Sequence, residues 1–149
     1  MANEIIAAWG TEKTLEANGG SCANAAVVIA DDATYGVVAD GANFPDAEFV
    51  LVCQWATVTS IENKAIILLA RDLDIDSTND QSAPTATFNH RFIGSFIIAA
   101  GTSSTNQYFK LTAQDVPKLA QYYLLNQSGQ TISAGWTLKV TPKTYEPAV

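Results

Sequence analysis

Three carboxylates at two-residue spacing, Asp72, Asp74 and Asp76, with Asp80 close behind, are the residues of this chain best placed to do chemistry. On an extended strand, side chains two apart share a face, so the three converge where hard oxygen ligands suit a cation such as calcium. An EF-hand loop is excluded: counted from Asp72 it needs Gly at its sixth position and Glu at its twelfth, and Ser77 and Ala83 stand there. Two readings stay open, a loop metal site with Asp72, Asp74 and Asp76 as ligands, and a solvated strand end whose charges discourage edge-to-edge aggregation.

Other chemistry is sparse. His90 is the single histidine, and its neighbours Asn89 and Arg91 give it no acid–base partner in sequence. There is no G-x-S-x-G elbow, and Gly19-Gly20 lacks the Lys-Ser/Thr of a phosphate loop. No catalytic residue and no cofactor is assigned, and the chain is not read as an enzyme. Cys22 and Cys53 have neither CxxC spacing nor histidine partners, and both lie in or beside apolar runs. Buried free thiols are expected, with a disulfide between them as the alternative. The aromatics Trp55, Trp136, Tyr108, Tyr122, Tyr123 and Tyr145 have rings that suit either a core or stacking on sugars. Trp55 and Trp136 sit inside predicted strands and read as core. Tyr122 and Tyr123 are adjacent, so on a strand they point to opposite faces, one buried and one available. Tyr108, Tyr122 and Tyr145 are the candidates for touching a partner.

The elements that must position these residues are strands. Residues 1–21 read as an arm or first strand, with one helical turn at Thr14 to Ala17. Ala25 to Ala30 is a strand, Asp31-Asp32 turn the chain, and Tyr35 to Ala39 returns, the start of a meander. Phe49 to Val58 and Lys64 to Leu73 follow, separated by the polar turn Ser60 to Asn63; AIILLA (65–70) is continuously apolar, as in a strand covered on both faces. Asp74 to Ala86 is the main surface loop. Phe92 to Ala99 and Gln107 to Thr112 form a hairpin-like pair. A helical turn is allowed at Ala113 to Leu119, and the chain closes with a hairpin of Gln121 to Leu125 and Trp136 to Thr141 that Pro142 stops. The order from Pro45 through AIILLAR is echoed from Pro117 through WTLKV, as two Greek keys would give. The expectation is all-β: one domain over 1–149, an antiparallel β-sandwich of jelly-roll type with about eight strands, an N-terminal arm at 1–21 and a tail at 142–149.

Composition bounds the partners. The net charge is −7 over 149 residues, with no Lys/Arg run, which argues against duplex nucleic acid and anionic membranes. Only 15% of residues are charged, so the surface relies on Thr, Ser, Asn and Gln. Residues 1–80 hold thirteen acids against three bases, a net of −10, whereas 81–149 hold two against five, a net of +3. If folding separates the halves, copies can meet head to tail; if the halves interleave, the asymmetry averages out. MANEIIAAWG lacks the positive n-region and long h-region of a signal peptide, and no run of about 18 apolar residues reads as a transmembrane helix.

Three segments carry a family resemblance: PDAEFVLVCQW (45–55), RDLDIDSTND (71–80) and VPKLAQYYLLNQSGQTISAGWTLKVTPKTY (116–145), about a third of the chain. They resemble small virion structural proteins from the head and tail gene blocks of tailed bacteriophages. The resemblance implies a β-sandwich that coats or completes a phage particle, assembled in the host bacterial cytoplasm. It points first to a capsid decoration (cement) protein bound to the major capsid protein and other virion proteins, working as a homo-oligomer such as a trimer. The alternative is a host-recognition or carbohydrate-binding module of a tail or head fibre. No catalytic residues are carried over.

Overall fold

The computed structural model describes residues 5–38, 40, 43–59, 64–73, 80–88, 91–99 and 101–147. Among them nine strands follow in order: β1 (Ile5–Trp9), β2 (Lys13–Gly19), β3 (Val27–Tyr35), β4 (Asp46–Cys53), β5 (Lys64–Asp72), β6 (Arg91–Ile98), β7 (Gln107–Ala113), β8 (Ala120–Gln127) and β9 (Trp136–Pro147). They form two antiparallel sheets that pack as a sandwich. Sheet 1 has the order β1-β9-β4-β7, with β2 also on β9; sheet 2 has the order β3-β8-β5-β6.

The pairing is nested. β5 pairs β6, β4 pairs β7, β3 pairs β8, and β1 with β2 pairs β9. This is one long antiparallel hairpin whose successive pairs fall alternately into the two sheets, the winding of a jelly roll. β1 and β2 lie on consecutive stretches of β9, Lys143–Pro147 and Trp136–Val140, so they occupy one strand position and the sandwich has eight. The sequence echo also finds its place: reversing the order of sheet 2 sets β8 where β4 stands in sheet 1 and β5 where β9 stands.

Burial explains the strands. β4 alternates half-buried and buried along its whole length, its inward Ala47, Phe49, Leu51 and Cys53 meeting Leu138 and Val140 of β9 in the core. From sheet 2, Ile66, Leu68, Phe96, Ile98, Tyr122 and Leu124 complete that core, all with no exposed surface. Each such side chain contributes about 1.5–3 kcal/mol when fully buried. Trp55 and Trp136 are core, as expected, with their indole N–H groups donating to Ser128 Oγ at 3.0 Å and to the Gly20 carbonyl at 2.7 Å. β5 is covered on both faces at Leu68, Leu69 and Ala70.

Several expected connections are different. β8 and β9 do not form a hairpin: they lie in different sheets, and 128–135 turn a corner between them, with Gly129 and Gly135 at φ of 81° and 91°. That linker is longer than the two to five residues that keep hairpin strands side by side. β6 and β7 likewise sit in different sheets. Asp31 and Asp32 do not turn the chain; β3 runs through them because it is an edge strand, where carboxylates reach solvent, and its register shifts between Ala30 and Tyr35. Thr14 to Ala17 is strand, and no helix forms at Ala113 to Leu119. Nor does Pro142 stop β9. Its carbonyl accepts from the Gly10 amide at 2.8 Å, so its donorless nitrogen faces the break between β1 and β2, where no ladder bond is lost. The turn Ser60 to Asn63 lies outside the described residues.

The acidic and basic halves of the chain do not separate into flanks. In both sheets, strands from residues 1–80 alternate one by one with strands from 81–149, so the asymmetry interleaves.

Candidate functional site

One group of polar side chains lies at one end of the sandwich, around the close of β5. Asp72 ends that strand, and its carboxylate accepts from Arg91 Nη1 at 3.4 Å; Arg91 Nη2 also donates to the Asp115 carbonyl at 2.8 Å. Arg71 donates to the Gln81 carbonyl and pairs with Asp80 at 3.5 Å, and Lys13 pairs with Asp40 at 2.6 Å. Of the three-carboxylate ladder, Asp72 is therefore bound to a guanidinium, while Asp74 and Asp76 lie outside the described residues, as does His90. Three buried polar atoms here lack partners: the hydroxyls of Tyr35 and Tyr122, and Asp72 Oδ1. Burial pushes the Tyr35 phenol up to about 12, with the Asp40 charge adding to it. Burial raises Tyr122 as well, and the charges of Tyr35, Asp72 and Asp40 push the same way against Arg91. Both cysteines are free and buried, and burial pushes the Cys53 thiol up to about 12 and raises Cys22, so neither is a thiolate nucleophile at neutral pH.

One long side of the sandwich is sealed by a carboxylate cluster that no local sequence spacing announces. Glu16 of β2 and Asp31 and Asp32 of β3 bring one oxygen each to within 4.8 Å of one another. Glu16 is buried, and its two oxygens accept from the amides of Asn18 at 2.9 Å and Asp31 at 3.2 Å. Asp32 accepts from the Ala17 amide at 2.6 Å. These residues have the oxygen chemistry to hold a cation. Their hydrogen bonds already give them a structural task, stitching the edge of one sheet to the edge of the other.

The opposite long side, where β6 and β7 meet, is apolar and grooved. Midway along it the strands touch closely: a Cβ on Gly94 would lie 2.5 Å from Leu111 Cδ1. Further along it opens into a groove of about 450 Å³ lined by Ile97, Ala99, Gln107, Tyr108 and Phe109. Tyr108 is 72% exposed and Ile97 61%. The Phe109 ring meets Trp55 edge to face at 5.8 Å, which anchors the floor in the core. Gln107 Nε2 donates to the Gly101 carbonyl at 3.2 Å, but its Oε1 is buried with no donor.

A fourth feature extends from the sandwich. The β4 ladder on β9 ends at Lys143, and β9 runs on to Pro147 with β1 beside it. Ile5, Ile6, Trp9 and Tyr145 are exposed on this ribbon, and Lys143 Nζ stands 4.8 Å from the Trp9 ring and 5.0 Å from that of Tyr145.

Of the three tyrosines singled out from sequence, Tyr108 and Tyr145 are exposed on separate features, and Tyr122 is not available to a partner. Its ring is wholly buried against Tyr35 and Phe49, with centroids 6.4 and 5.2 Å away. The reasoning that one of Tyr122 and Tyr123 must be free also fails. β8 is a central strand, and on its outward face Tyr123 is buried with Leu69 and Leu125, flanked by Val27 and Ile67. Alternation assigns faces, not exposure.

Compared with family models, with curated proteins and with solved structures, the chain gives no match.

Proposed function

We propose that this chain is a structural protein of a bacteriophage virion, a capsid decoration subunit that binds the major capsid protein and acts as a homo-oligomer. The observation that carries the reading is that exposed apolar side chains gather in two places at the margins of the sandwich, Ile5, Ile6, Trp9 and Tyr145 on the β1/β9 ribbon and Phe92, Ile97 and Tyr108 along the β6/β7 side. Gathered apolar exposure of this kind marks a surface meant for a partner. The resemblance of 45–55, 71–80 and 116–145 to phage head and tail proteins supplies the kind of partner. Lys13, Asp40, Asp72, Arg91 and Glu16, by contrast, are engaged in ion pairs and hydrogen bonds inside the fold.

A decoration subunit needs no catalysis. It binds the assembled shell and not free capsid subunits, so mass action favours the shell by RT ln(1 + [L]/Kd). The test is the copy number of this chain in purified virions by quantitative mass spectrometry. A count comparable with that of the major capsid protein supports decoration; a handful of copies moves the protein to a tail or fibre, and none sinks the virion reading.

One observation favours the second reading, carbohydrate recognition by a fibre module: an exposed Tyr108 ring beside a groove that holds the polar Gln107. Specific binding in a glycan screen that is lost with Tyr108→Ala would establish that reading in place of decoration.

A further inference from the structure

Sheet 1 has two unpaired edges, and they face opposite ways. At one margin β1 pairs only with β9, and at the other β7 pairs only with β4 among the described ladders. β1 reads IIAAW and has no charged residue, so it lacks the usual guard against strand addition. The β7 edge borders the groove, with Tyr108 and Ile97 exposed and Gln107 Oε1 buried without a donor.

We infer that copies of this chain join head to tail through these edges, β1 of one copy adding to β7 of the next. Strand polarity permits it: in the antiparallel order β1-β9-β4-β7 the two outer strands run oppositely, so a second copy continues the sheet with an antiparallel pair. Face parity permits it too. With the outward faces aligned, Ile5, Ala7 and Trp9 fall on the side of Tyr108, while Ile6 and Ala8 fall on the side of the groove toward Ile97. The two symmetric alternatives are worse. Pairing β7 with itself sets Lys110, at the strand's centre, opposite its own copy, a like-charge pair. Pairing β1 with itself leaves the groove open. A head-to-tail contact uses two different patches, so it propagates into a closed ring or a chain.

This inference deepens the homo-oligomer part of the proposed function and is argued from the edges of sheet 1, so its failure removes that self-association and leaves capsid binding, which the virion copy number tests, untouched. The experiment uses the full chain, with Ile5→Asp to spoil the β1 edge and Tyr108→Asp to spoil the β7 edge. Both positions are exposed, and near-UV circular dichroism of the buried tryptophans confirms the fold. Light scattering is then read over a concentration series. The wild type is expected to exceed the mass of one chain, and each variant alone to stay at that mass. An equimolar mixture is expected to form a one-to-one dimer and nothing larger, because one variant keeps β7 and the other keeps β1. A monomeric wild type, a variant that still self-associates alone, or a mixture that stays monomeric overturns the inference.

Discussion

The two long sides of this sandwich solve the same problem in opposite ways. Where β2 meets β3, Asp32 accepts from the Ala17 amide and Glu16 from the Asp31 amide across the gap, and the edge strands carry charge. Where β6 meets β7, a polar bond across the gap sits at one end, from Arg91 Nη2 to the Asp115 carbonyl just past β7, and further along the side is largely apolar with a groove bordered by Tyr108. Both sheets end at each side, so both sides carry the same structural burden of unpaired edges. Closing an edge with polar bonds along the strands is available to this fold, and the β2/β3 side is where it is used. The open side is therefore the one to look to for contact with other molecules, and substitutions on the two sides should separate stability from association.

The largest effect belongs to the closed side. Gly19, at the end of β2, lies under the indole of Trp136, and a Cβ there would come 2.0 Å from Trp136 Cε2. Neither group can yield cheaply, because the indole also donates to the Gly20 carbonyl. Gly19→Val is expected to cost about 3 kcal/mol or more, at the upper end of overpacking effects. The midpoint of urea unfolding should fall with an unchanged slope. A midpoint close to that of the wild type would mean that β2 is not held as described.

Glu16→Ala comes next. It removes the buried acceptor of the half-buried hydrogen bonds from the Asn18 and Asp31 amides, at a cost of about 1 kcal/mol. Removing one of three close carboxylates offsets part of that. Glu16→Gln keeps one acceptor oxygen and drops the charge, so it should fall between the wild type and the alanine variant. If alanine is as stable as the wild type, the stitching contributes nothing and the contrast between the sides collapses.

The third effect depends on pH and arises from the aromatic core beside the closed side. Tyr35 keeps its proton in the fold up to about 12, whereas an unfolded tyrosine loses it near 10. The unfolded state therefore binds fewer protons in that window. Stability is fully present below about pH 10 and is lost as pH rises through about 12. Tyr35→Phe should flatten this alkaline slope. At neutral pH it should change stability little, since the hydroxyl it removes has no hydrogen-bond partner. Thermal melts of both proteins at neutral and alkaline pH test the two statements together.

What was legible in the sequence was local. The continuous run at β5 reads correctly as a strand covered on both faces, and Trp55 and Trp136 read correctly as core. The partners of each strand were not legible. Neighbouring runs separated by polar turns look like hairpins, but the nested jelly-roll pairing sends β6 and β7, and β8 and β9, to opposite sheets, and a turn composition does not record its span. Asp31-Asp32 looks like a turn because acids are rare in strands, yet an edge strand admits them. The carboxylate cluster joins Glu16 to residues fifteen positions away through backbone amides, and no motif encodes such a contact. Alternation of Tyr122 and Tyr123 would leave one of the two available, but Tyr123 is buried with Leu69 and Leu125 on the outward face, a property of the whole sheet.

The smallest effect on stability is the sharpest test of the comparison. Tyr108 lies on an edge strand, 72% exposed, so Tyr108→Ser should shift unfolding by less than about 0.5 kcal/mol. A ring that stabilises its own chain so little, beside an apolar groove with an unsatisfied acceptor, is suited to contact with another molecule. The expected result is a protein as stable as the wild type that no longer associates in light scattering. A loss of about 3 kcal/mol or more, in the range of a buried aromatic truncation, would instead make Tyr108 part of the core. The open side would then be closed by packing, as the other is by hydrogen bonds.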